Sequence, residues 1–352
     1  MAPTRLRGFV AAAAVAVLSL SACSTGPAGG GSEAAGANEA GSTEAFPVTI
    51  EHAFGETVLA EKPERVATVS WVNADVALAL GVVPVGMPLD EYGGNEQGST
   101  PWKDAKLEEL GAAIGSDNAP AQYSEADGIA FDEIAATNPD VILAAYSGLT
   151  EEEYNTLSEI APVVAYPEVA YGTAWQESTA LVGEALGLTA EAEQLVADTE
   201  DKIAEAAAEY PAIEGKSFIF GNLEPANAEG VNVYTASDNR PRFLTQIGME
   251  LADVVTENTK GEEFFFPWSA ERADELESDV FVTWVPDDAT KEAIGEDPLL
   301  SQIPAVKSGA LVADADNTLT LSISAASPLS LVWALDKWLP MLNEAAEKVD
   351  AA

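Results

Sequence analysis

Short apolar runs alternate with helical stretches along most of this chain, and that alternation is its tightest constraint. Residues 66–69 read as a buried strand, 74–80 as a helix closed by Gly81, and 82–86 as the next strand. A strand, a crossover helix and a second strand make a parallel pair, because parallel neighbours need a long connection. The rhythm returns with a helix at 131–137 ended by Asn138-Pro139, a strand at 140–145, an acidic helix at 151–160 capped by Thr150, and a strand at 163–166. Ahead of it, Val48-Thr49-Ile50 and Thr57-Val58-Leu59 flank Gly55 as a hairpin.

The rhythm then breaks. Residues 173–186 read as helix, Gly187 punctuates, and 189–210 run on without glycine or proline. Thr189 is the expected N-cap, and Ala192, Leu195, Val196, Thr199 and Ile203 form the inward stripe. After Pro211 and Gly215 the alternation restarts, with strands at 217–220, 231–234, 280–284 and 311–313 and helices at 242–247, 270–276 and from Pro328 to about 346. The fold class is therefore α/β: two lobes with mostly parallel sheets joined by a single long helix. The expected boundaries are an N-terminal lobe at 46–172, a bridging helical segment at 173–210 and a C-terminal lobe at 211–349.

The first 45 residues read as an address and a tether. Arg5 and Arg7 precede an apolar run too short to span a bilayer, and Leu20-Ser21-Ala22-Cys23 has the pattern of a bacterial lipobox. Residues 1–22 are thus expected to be a lipoprotein signal peptide. Cys23 becomes the lipidated residue, and 23–45, rich in Gly, Ser, Ala, Glu and Thr, serves as a flexible tether. The body is then expected outside the cytoplasm, lipid-anchored to the cell membrane.

Charge and composition remove other classes. Lys and Arg number 16 against 59 Asp and Glu, a net charge of −43, so the chain does not neutralise nucleic-acid phosphates. One cysteine forbids an intrachain disulfide, and one histidine, His52, excludes a metal held on several imidazoles. His52 reads as a surface turn residue of the hairpin. No Gly-x-Ser-x-Gly elbow or Walker motif appears. The acidic loops at 286–288 and 314–317 lack the spacing of a calcium-binding EF-hand.

The chain resembles the bacterial solute-binding proteins of the iron–siderophore and vitamin B12 class. The likeness rests on segments in order: Lys62-Pro63-Glu64-Arg65-Val66-Ala67, Pro84-Val85-Gly86, Glu133-Ile134-Ala135, Asn138-Pro139-Asp140-Val141-Ile142, Leu186-Gly187, Ser269-Ala270-Glu271 and Ile303-Pro304-Ala305-Val306-Lys307-Ser308-Gly309. It spans residues 50–345. It implies two Rossmann-like lobes bridged by a rigid helix. It also implies capture of a ferric siderophore and delivery to the permease subunits of an ABC importer. By the same resemblance the protein acts as a monomer, is not an enzyme, and has no cofactor, iron entering only as part of the chelate. Cobalamin or haem binding on the same scaffold is the alternative, and a surface lipoprotein with a hydrolytic or adhesive role is the alternative from another class.

Ligands of open α/β sheets sit beyond the carboxyl ends of the strands. That rule selects Trp71, Tyr146, Asn222, Tyr234 and Trp284. Aromatic side chains there suit a bulky, partly apolar chelate. Trp268 joins them because 264–268 resembles the family's cleft-mouth loop. Arg240 and Arg242 stand out in so acidic a chain, and guanidinium donors suit the oxygens of an anionic ligand. Arg65 resembles a structural arginine, and Arg272 is expected to face water. For docking on the permease, the resemblance points to Glu271 in the second lobe and to Asp132 in the first, with Glu133 as its neighbour.

Overall fold

A computed structural model describes residues 46–225 and 230–350. The expected signal peptide, Cys23 and the tether lie outside the described residues. Among the described residues no helix is long and apolar enough to cross a membrane.

The chain opens on the hairpin β1 (Val48–His52) and β2 (Gly55–Leu59), antiparallel with Ile50 opposite Thr57. The first lobe follows as β3 (Val66–Thr68), α1 (Asn73–Ala79), β4 (Gly86–Pro88), α2 (Pro101–Glu109), β5 (Ala121–Tyr123), α3 (Phe131–Ala136), β6 (Val141–Ala144), α4 (Glu151–Ser158) and β7 (Val163–Ala165). Its sheet has the order β5-β4-β3-β6-β7, parallel throughout. Buried on both faces, β6 and β7 read as unbroken apolar runs, as parallel strands should, and β3 departs from that only at the buried Thr68. The strand expected at 82–86 begins only at Gly86. Only the Val85 N–H, bonded to Val66 O, reaches β3 ahead of the strand proper.

Two helices, α5 (Trp175–Ala185) and α6 (Thr189–Ala208), carry the chain across. Ala192 of α6 sits so close to Gly183 of α5 that a Cβ on the glycine would lie 2.3 Å from the Ala192 Cβ. The far end of α6 places Ile203 in the second-lobe core. Thr189 is not the N-cap: Leu188 holds that position, without a side-chain cap bond, and the Thr189 hydroxyl is buried with no hydrogen-bond partner among the described residues. The helix start is set by packing on α5 and not by capping.

The second lobe contains β8 (Ser217–Asn222), β9 (Val231–Tyr234), α7 (Asn239–Gln246), β10 (Glu250–Leu251), α8 (Asp253–Asn258), β11 (Phe265–Trp268), β12 (Val280–Trp284), α9 (Asp288–Glu296), α10 (Pro304–Ser308), β13 (Leu311–Asp314), α11 (Asn317–Ser324) and α12 (Pro328–Asp350). Residues 270–275, expected as an α-helix, form a 3-10 helix. The sheet order is β11-β9-β8-β12-β13, with β10 beside β8. It is mixed: β8, β10, β12 and β13 pair in parallel, whereas β9 is antiparallel to both β8 and β11.

A second long helix also ties the lobes. In α12, Leu331, Ala334, Leu335, Trp338 and Leu342 recur at helical spacing and fill the second-lobe core. Near its N-terminus the helix also packs Leu329 and Trp333 against the first-lobe core, with the Trp333 ring 5.1 Å from Trp102. Beside this contact the Asp75 carboxylate accepts from the Trp102 indole (2.6 Å) and from the Ser327 hydroxyl (2.7 Å). The Lys103 ammonium lies 2.7 Å from Asp90 and 3.5 Å from Asp75. All four polar residues are buried.

His52 is buried, not a surface turn residue. Its Nε2 lies 2.9 Å from the Thr57 hydroxyl, and its ring packs on Tyr154 and Phe54. Burial lowers its pKa, so it serves the hairpin as a neutral packing residue.

Candidate functional site in the cleft

The first-lobe strands end facing the second lobe. Past β3 comes Trp71, past β4 Tyr92, past β6 Tyr146 and past β7 Tyr171. From the other side come Asn222 at the end of β8, Tyr234 at the end of β9, and Trp284 at the end of β12. With Asp238, Arg240 and α11 residues Thr320, Leu321 and Ser324 they line a cleft of about 320 Å³ open to solvent. Such a volume is that of a small-molecule site.

Hydrogen bonds fix this geometry across both lobes. Asn239 donates to the Tyr146 hydroxyl (3.1 Å) and to Ser324 O (3.0 Å). Asn317 Oδ1 accepts from the Trp284 indole (2.8 Å) and from the Tyr92 hydroxyl (3.2 Å). The loop carrying Tyr92 reaches α11 closely: Thr318 donates to Gly93 O at 2.6 Å, and a Cβ on Gly93 would meet Asn317 O at 2.8 Å. Only glycine fits there, and its φ of +72° suits that residue as well. Burial raises the Tyr146 and Tyr92 pKa values, so both hydroxyls stay protonated.

Arg240 enters from the first turn of α7. Asp238 caps that helix through the Arg240 N–H (2.9 Å) and also accepts from Nε (2.8 Å) and Nη2 (2.7 Å) of the same residue. The guanidinium lies 3.7 Å from the Tyr234 ring centre. Burial would lower its pKa, but Asp238 and Tyr234 outweigh that and raise it. The charge is therefore held rigidly and is largely balanced by its own neighbour, while donors of the five-donor fork remain.

Two expected cleft residues are elsewhere. Arg242 does not join Arg240: it gives Nε to Ala236 O and Nη1 to Gly172 O, both at 3.0 Å, and lines a separate hollow with Glu168, Glu177 and Glu262. Two residues apart on a helix, the side chains diverge by about 200°. Trp268 does not lie in a cleft-mouth loop but in β11. The antiparallel pairing sets it beside Val231, at the end of β9 remote from Tyr234, where it is buried in the core against Phe266. Its indole donates to Arg272 O, and the Arg272 guanidinium covers the ring while pairing with Glu275. Phe265, opposite Tyr234 in register, is the aromatic that the strand brings to that ring, at 6.1 Å.

Tyr92, Tyr171, Asp238 and the α11 residues were not among the expected residues. The displaced start of β4 hid Tyr92 as a strand-end residue. Tyr171 lies in a loop with no periodicity to mark it. Asp132 and Glu133 are exposed in the first turn of α3, and Glu271 is exposed in the 3-10 helix after β11. Arg65 anchors the turn before β6 through Asn138 O and Thr137 O.

The periplasmic binding protein family model matches residues 66–318, most of the chain. The chain belongs to the periplasmic binding protein family. Its fold is similar to that of PiaA from Streptococcus pneumoniae, solved in complex with ferrichrome, with 38% identity, 85% of this chain and 99% of that one covered, and a TM-score of 0.78. A periplasmic solute-binding protein of Mycobacterium smegmatis is 30% identical over 85% of this chain and 98% of its own, with a TM-score of 0.70. Bacillus subtilis YhfQ, assigned as an ABC transporter substrate-binding lipoprotein, is 25% identical over 276 residues, 74% of this chain and 79% of its own length.

Proposed function

We propose that this protein captures a ferric siderophore of the hydroxamate class outside the cytoplasm and delivers it to an ABC importer. The observation that carries this reading is the cleft itself. Trp71, Tyr92, Tyr146, Tyr171, Tyr234 and Trp284 surround a single arginine that Asp238 already balances. Aromatic rings favour a bulky, weakly charged guest. A ferric hydroxamate wrapped into a near-neutral complex meets that description, whereas a multiply anionic catecholate or citrate complex would need more cations than Arg240. The similarity to PiaA, solved with ferrichrome, supports the same class. Iron arrives already wrapped, and the protein adds no ligand and no cofactor of its own.

Titration calorimetry of residues 46–352 tests the reading with ferrichrome, a ferric catecholate, ferric citrate, cobalamin and haemin. Saturable submicromolar binding of ferrichrome is the expected result. Preference for cobalamin or haemin would replace the ligand class, and silence across the panel would favour a hydrolytic or adhesive surface role.

Delivery in this proposal uses a lipid anchor on Cys23 and a monomeric body whose exposed Asp132 and Glu271 face the permease. In the producing cell, Cys23→Ser is expected to abolish palmitate labelling, and retained label would remove the anchor. Glu271→Ala should leave ferrichrome affinity unchanged and depress uptake; normal uptake would reject docking through that residue.

A further inference from the structure

The turn between β3 and α1 passes through left-handed backbone at Ser70 (φ 60°) and again at Val72 (φ 70°). Such backbone is costly for a residue with a Cβ, and most of all for a β-branched one. Trp71 sits between the two, 40% exposed on the cleft wall. Tyr171, its neighbour on that wall at 6.2 Å between rings, is likewise left-handed at φ 57° and 42% exposed. This wall is built on backbone that relaxes unless something holds it.

Two polar side chains hold it. Asn73 donates Nδ2 to the carbonyls of Val69, Trp71 and Tyr146 at 2.7, 3.0 and 2.9 Å. Glu125, in the turn after β5, accepts the Ser70 N–H on Oε2 at 2.9 Å. Tyr171 leans on this turn through its ring contacts with Trp71 and, edge-on, with Tyr146. Trp71 thus follows a residue whose backbone Glu125 holds, and Tyr171 packs on Trp71.

The other oxygen of Glu125, Oε1, is shut away from solvent with no hydrogen-bond partner among the described residues. The titratable groups whose charge couples to this carboxyl are Tyr123 on β5, Tyr171 in the loop after β7, Glu153 on α4 and Glu91 in the loop after β4. Burial pushes its pKa up to about 7, with the Ser70 N–H pulling the other way and Glu153 and Glu91 adding to the rise.

We propose that Glu125 is the positioning residue of this aromatic wall and that its ionisation weakens the hold on the chelate. The inference rests on the cleft being the chelate site. A neutral carboxyl still accepts the Ser70 N–H through its carbonyl oxygen, so the wall stands in either form. A chelate laid on Trp71 and Tyr171 strips further water from around Glu125 and disfavours its charged form. Binding then takes up a proton near neutrality, and affinity falls as pH rises through the folded-state titration.

Calorimetry with ferrichrome at about pH 6 and about pH 8 tests this, wild type being expected to bind about fivefold more weakly at the higher pH. Glu125→Gln, a neutral acceptor, should bind at least as tightly as wild type at both and show no pH dependence. Glu125→Ala, with no acceptor, should bind about tenfold more weakly at both. An alanine variant of wild-type affinity, or a glutamine variant that keeps the pH dependence, overturns the proposal. Fluorine NMR of the ligand-free, fluorotryptophan-labelled protein supplies a second readout. The Trp71 signal, assigned with Trp71→Phe, should shift in Glu125→Ala while the other tryptophans stay put. Should wild type bind no ferrichrome, the chelate reading falls, and an unmoved Trp71 signal would then overturn the positioning role by itself.

Discussion

Arg240→Ala is expected to weaken ferrichrome binding about a hundredfold, or ~3 kcal/mol. The guanidinium is partly buried, lies 3.7 Å from the Tyr234 ring centre, and is held in one orientation by two bonds to Asp238. Its ordering is therefore complete before a ligand arrives, which lowers the cost of binding. The substitution spares the α7 cap, because Asp238 accepts from the backbone N–H of residue 240. Arg242→Ala serves as the comparison. That side chain reaches Ala236 O and Gly172 O, away from the aromatic cleft, and its loss should change affinity by no more than about threefold. Calorimetry alongside thermal unfolding separates binding from folding. An Arg240→Ala variant that binds within threefold of wild type would remove Arg240 from the site.

Lys103→Met is expected to destabilise the protein by about 3–5 kcal/mol, the range for breaking a buried ion pair from one side. It would leave Asp90 and Asp75 buried without the ammonium that lies 2.7 and 3.5 Å from them. The sign of the pH dependence follows from the wild-type shifts. Burial raises the Asp75 pKa, and Lys103 is the largest influence opposing that rise. Without Lys103 the folded-state value climbs further above 3.8, so the charged carboxylate is tolerated worse folded than unfolded. The loss should thus grow as pH rises above the ordinary carboxylate range and shrink on acidification. In the wild type, burial lowers the Lys103 pKa but Asp90 and Asp75 raise it more, so its contribution is present below 10.5 and lost as pH rises past the folded value. Urea unfolding at about pH 5 and about pH 8 checks both points. A loss below about 1 kcal/mol, or one independent of pH, would show that the cluster does not hold the lobes together.

The alternation of strands and helices was legible because it is local. Strands β6 and β7 are continuous apolar runs, and Thr150 closes a full capping box with Glu153 on α4. Cleft residues were legible where a strand end was legible: Trp71, Tyr146, Asn222, Tyr234 and Trp284 all line the cavity. Where the strand boundary slipped, as at β4, Tyr92 went unseen. Trp268 and Phe265 show a different limit. Both lie in one short strand, and only the register against β9 decides which of them meets Tyr234.

By itself, the sequence determined the α/β layering, the two lobes and the long helix between them, since apolar periodicity and punctuation by glycine and proline act within a few residues. Tertiary structure alone decided that α12 also spans the lobes, that Arg240 and Arg242 part company, and that Asp238 balances the first of them. It also placed Glu125 behind Ser70, 55 residues away. These are contacts between segments distant along the chain. Their partners are chosen by how layers stack and how strands register, and no local pattern of residues encodes that choice.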